Sequence, residues 1–189
     1  MKRNPKMFTA VNAAGSIVMS DCFDINGCGF NGAHIEQVGR GWGCFVESFA
    51  NDEKASSESR ILFLSAGEIA GGFAVLLLYP RTSVESAFGE MPITCDILHQ
   101  CFAPKDYAAF VNMCMGIVLD RLNDANAIDP IISIAKLLGS KEKLSHDEIM
   151  GILDSQQLEN TAEVKVVLEN FWKTSEMKED VRNYILSKM

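Results

Sequence analysis

The sequence predicts a mainly α-helical fold with a small β element, an α+β protein. Three observations carry this. Apolar residues recur at three- and four-residue spacing through most of the chain, as they do on helices with one buried face. Two short stretches rich in β-formers flank Gly39-Arg40-Gly41, the pattern of a hairpin. The chain has 189 residues, 48% of them hydrophobic and 22% charged, enough apolar surface to bury a core and too much for a disordered polymer.

The elements follow in order. Phe8, Val11, Gly15 and Val18 share one face of a helix over residues 8–19. The next stretch is rich in Gly and Asn; Asn26-Gly27 and Asn31-Gly32 read as turns, because both residue types tolerate positive φ. Strands are expected at His34–Val38 and Trp42–Glu47, joined by a three-residue connection. Residues 51–59 are polar and read as a loop. A helix over Ile61–Tyr79 stops at Pro80. It is nearly long enough to cross a bilayer, but Glu68 stands at mid-length and an acid there is costly in lipid. A buried core helix is the expectation, with Gly67, Gly71 and Gly72 allowing close packing.

Residues 81–93, with Gly89 and Pro92, read as a loop, and Thr94–Phe102 as a short helix. Pro104 opens a further helix, where Tyr107, Val111, Cys114 and Val118 recur at helical spacing. Asp129 is expected as an N-cap with Pro130 at the first helical position, and the helix ends at Gly139. Ser145 and Glu148 form a capping box ahead of Ile149, Ile152 and Leu153. Asn160 and Glu163 start another helix with Val164, Val167, Leu168 and Phe171 on one face; a last amphipathic turn carries Val181, Tyr184 and Ile185. Charge density rises over residues 140–189, as expected of solvated surface helices.

A formal net charge of −8 repels phosphate backbones and speaks against nucleic-acid partners. The basic start, Met1 to Lys6, is not followed by an apolar run and cleavage site, so no signal peptide is expected. The six cysteines (Cys22, Cys28, Cys44, Cys95, Cys101 and Cys114) then read as thiols of a cytoplasmic protein. None of their spacings is the C-x2-C of a zinc knuckle. No P-loop, no G-x-G-x-x-G after a strand and no H-E-x-x-H occurs. Of the histidines, His34 and His146 read as ordinary surface residues. His99 lies three positions after Asp96, so the two share a helical face. With Cys95 they could hold a metal, or simply hydrogen-bond.

The order of segments resembles the protease domain of the FtsH-type, ATP-dependent zinc metalloproteases. In that family a helix carries H-E-A-G-H-A, whose histidines bind zinc and whose glutamate activates water. Ala10 to Val18 fits that frame and keeps Ala14-Gly15. Asn12 and Ser16 stand where the histidines belong, and Ala13 stands where the general base belongs. Val38-Gly39-Arg40-Gly41-Trp42-Gly43 is similar to the family's P-R-G-x-x-x-G-type turn. Ala66 to Gly71 resembles its G-G-x-A-A-E-like helix centre with the terminal Glu replaced. Ile93-Thr94-Cys95-Asp96-Ile97 resembles the context of its acidic third zinc ligand, the place of Asp96. Ile131 to Leu153 is similar to its closing helix-turn-helix.

The resemblance covers roughly residues 6–153. It implies a helical metalloprotease-like domain over 1–153, followed by a C-terminal helical extension over 154–189. An Asn amide and a Ser hydroxyl are poor zinc donors, and Ala13 cannot take a proton from water. The resemblance therefore implies a pseudopeptidase: no catalytic residue, vestigial ligand positions at Asn12, Ser16 and Asp96, no bound zinc, and a role in binding a peptide or protein. The family's ring assemblies add an expectation of homo-oligomers. Two other readings stay open. One is an active metal-dependent peptidase with a rearranged site drawn from Asp96, His99, Cys95 and His34. The other is an unrelated helical interaction protein.

Overall fold

The computed structural model describes residues 4–22, 28–51, 57–88, 109, 111–112, 115–116 and 125–156. Helix α1 runs Pro5–Cys22. Pro5 suits the first helical position, where its missing N–H has no partner to lose. Asn4 caps the helix by accepting the Lys6 N–H on Oδ1 at 3.2 Å. The helix therefore starts a turn earlier than its apolar pattern suggests. Ala10, Ala13, Ala14, Ile17, Val18 and Met19 are all fully buried, so α1 is surrounded by other elements.

Strands β1 (Cys28–Val38) and β2 (Gly41–Ala50) form an antiparallel hairpin, with Val38 opposite Gly41 and His34 opposite Phe45. Both are longer than expected. The connection is two residues, not three: Gly39 takes φ +59°, the left-handed value that a tight primed hairpin turn needs at its first central position. Asn31-Gly32 is not a turn. It lies inside β1, where the register shifts between Phe30 and Gly32 and leaves Asn31 as the extra residue of a β-bulge. Gly32 is required there by tertiary contact, because a Cβ would stand 2.7 Å from the Leu144 carbonyl oxygen.

Helix α2 (Ser57–Leu78) ends before Pro80, as the sequence predicts, but begins within the expected loop. Helix α3 (Val84–Phe88) replaces part of the loop expected over 81–93. Ser83 caps it, accepting the Ser86 N–H at 3.2 Å. Residues 109, 111–112 and 115–116 are helical, with Val111 and Met115 against the core, in line with the helix expected after Pro104. The segments 94–102 and 157–189, for which helices are expected, lie outside the described residues.

Helix α4 spans Ala125–Lys141 with Pro130 inside it, so the start expected at Asp129-Pro130 is wrong. The buried face begins upstream: Ala127, Ile131, Ile134, Ala135 and Leu138 keep one helical stripe through the proline. The stop expected at Gly139 is also wrong. Gly139 stays helical, its bare Cα facing the end of Met7. The left-handed residue that ends α4 is Glu142, at φ +66°, whose N–H donates to the Leu138 carbonyl at 2.8 Å.

Strand β3 (Lys143–Ser145) pairs antiparallel with β1, placing Leu144 opposite Ala33, and the sheet order is β2-β1-β3. Helix α5 (His146–Leu153) carries the predicted capping box: Ser145 Oγ accepts the Glu148 N–H at 3.3 Å, and Glu148 Oε2 accepts the Ser145 N–H at 3.0 Å. A single 3-10 turn, Asp154–Gln156, follows.

One core joins these pieces. α1 sits at its centre, with α2 and α4 against it and the sheet beside it. Its tightest contact is with α2: a Cβ on Gly15 would lie 2.6 Å from the Ala74 Cβ and 2.9 Å from the Ala70 carbonyl oxygen. The apolar length of α2 serves this packing, with Phe63, Ala66, Ile69, Ala70, Ala74 and Val75 buried. Among the described residues, no helix is long and apolar enough to cross a membrane.

Candidate functional site

Asn12 and Ser16 lie one turn apart on α1, and Gly67 and Gly71 lie one turn apart on α2. The two pairs meet. The Ser16 hydroxyl is 2.7 Å from the Gly67 carbonyl oxygen and 3.2 Å from the Asn12 carbonyl oxygen. A Cβ on Gly71 would stand 2.7 Å from the Asn12 carbonyl oxygen and 2.8 Å from both Asn12 Oδ1 and Ser16 Oγ. The face of α1 that carries Asn12 and Ser16 is therefore closed against the backbone of α2.

Strand β2 closes it from a second side. Side chains alternate along a strand, and Trp42, Cys44 and Val46 turn inward against the core. Cys44 donates its S–H to Asn12 Oδ1, at 3.6 Å. One turn earlier on α1, the Thr9 hydroxyl reaches the Trp42 carbonyl at 3.3 Å and the Pro5 carbonyl at 3.1 Å. Ala13 is fully buried.

The electrostatics are those of a structural junction. Burial pushes the Cys44 thiol up to about 11; a hydrogen bond to its own backbone opposes this, and the Glu68 carboxylate adds to it. The Cys28 thiol also rises to about 11 through burial, with the Arg60 guanidinium opposing. Reactive and metal-binding cysteines act as thiolates, and these two are protonated at neutral pH. Among the described residues, no three His, Cys, Asp or Glu side chains group where they could hold an ion.

His34 is not part of this junction. It stacks on Phe45, ring centroids 4.9 Å apart, and stands 3.4 Å from Glu47 Oε1. Phe45 is the strand neighbour of inward-facing Cys44, so His34 belongs to the opposite face of the sheet. His146 is exposed, and its Nδ1 donates to the Phe30 carbonyl at 2.9 Å. Asp96, His99 and Cys95 lie outside the described residues.

The resemblance sets Asn12 and Ser16 at paired ligand positions, and the glycines of α2 are expected to allow close packing. Sequence reasoning missed Cys44 as the neighbour of Asn12 and Ser16. The signal for Cys44 was the alternation Trp42, Cys44, Val46, which turns all three to one side. Models of known protein families give no match to this chain, and no curated protein matches it.

Proposed function

We propose that this chain is a non-catalytic relative of the FtsH-type zinc metalloproteases that works as a peptide- or protein-binding module. The carrying observation is the contact between the Asn12–Ser16 face and the glycine face of α2. The two positions that would hold zinc in such a peptidase are engaged in helix packing, and the general-base position is a buried alanine. A small sheet beside the Asn12 helix, in the expected chain order, supports the relationship. The binding half of the proposal draws on the outer face of the hairpin. Val38, Phe45 and Phe49 stand 53%, 43% and 44% exposed there, and exposed apolar side chains of this kind are what an apolar segment would contact. Action in the cytoplasm belongs to the same proposal and is supported by the unbridged thiols of Cys28 and Cys44.

The test joins three measurements on the purified full chain. Metal analysis is expected to find no stoichiometric zinc. Incubation with casein is expected to give no chelator-sensitive cleavage. Unfolded casein is expected to bind without turnover, and Phe45→Ser is expected to weaken that binding at least threefold while thermal unfolding shows the variant folded. Bound zinc with metal-dependent cleavage would overturn the non-catalytic half. Absence of binding, or binding unchanged in folded Phe45→Ser, would overturn the assigned surface.

A further inference from the structure

We draw no further inference here: the strongest candidate, the outer face of the β1–β2 hairpin where Val38, Phe45 and Phe49 stand exposed, already belongs to the proposed function, and nothing in the structure shows what covers it.

Discussion

Gly71 carries no side chain because α1 occupies the space where one would stand. A methyl group there would press on the Asn12 backbone, which has no soft direction in which to yield. Gly71→Ala should therefore destabilise the protein by about 1–3 kcal/mol, the usual cost of overpacking. Gly151→Ala is the opposite case: its Cβ would meet nothing within 4 Å in helix α5. That change should stabilise by up to about 1 kcal/mol through helix propensity. Urea unfolding of both variants checks the pair, and a Gly71→Ala protein as stable as its parent would remove the closed-junction account. The thiols give a second expectation at this scale. Cys28 and Cys44 stand at about 11 against an ordinary 9.0, so the folded state favours the protonated form. Their contribution to stability is complete below about pH 9 and is lost as pH rises through about 11. Unfolding midpoints followed across that window should fall, and should fall less in Cys44→Ala measured against its own neutral-pH value. Alkylation of Cys44 at pH 7 should be slow beside that of a model thiol.

Helix α5 is only eight residues long, so its ends decide whether it forms. Ser145→Ala removes one half of the capping box and should cost about 1 kcal/mol, read as a lower melting temperature. Glu148 supplies the other half. Its carboxyl is held below its ordinary 4.5, first by the hydrogen bond from the Lys141 side chain and then by the Ser145 backbone N–H. The folded state thus favours the ionised form. The stabilisation is present above pH 4.5 and is lost as pH falls through the lower folded-state value. Glu148→Gln should flatten the acid limb of the melting curve; an unchanged limb would count against the assignment. This cap was legible in sequence because all its partners lie within four residues. Pro130 and Gly139 were misread for the converse reason. Each looks like a helix boundary locally, yet the buried stripe from Ala127 to Leu138 and the approach of Met7 hold both inside α4.

Leu144 ties the sheet to the helices: it is fully buried, pairs opposite Ala33 in β1, and belongs to the same core as α1, α4 and α5. Leu144→Ala should cost about 2–5 kcal/mol, from the lost transfer energy and the remaining cavity. Because the core is continuous, hydrogen-exchange protection in α1 and β1 should fall together. Loss confined to β3 and its neighbours would mean that the sheet and the helices are separate cooperative units. The same continuity bears on the proposed function. Exposing the Asn12–Ser16 face would require separating α1 from α2, which pack so closely that a Cβ on Gly15 would lie 2.6 Å from the Ala74 Cβ.

The sequence by itself determined the helical character, the hairpin, the end of α2 before Pro80 and the α5 cap, since each follows from period, turn chemistry or a neighbour a few residues away. It also set Asn12, Ala13 and Ser16, an amide, a methyl and a hydroxyl, within about one turn of α1. Tertiary structure alone decided that Asn31 forms a bulge, that three residues after α4 join the sheet, and that Gly67, Gly71 and Cys44 close over Asn12 and Ser16. Those outcomes depend on atoms tens of positions apart meeting within a few ångströms, and no local pattern records which distant backbone will arrive.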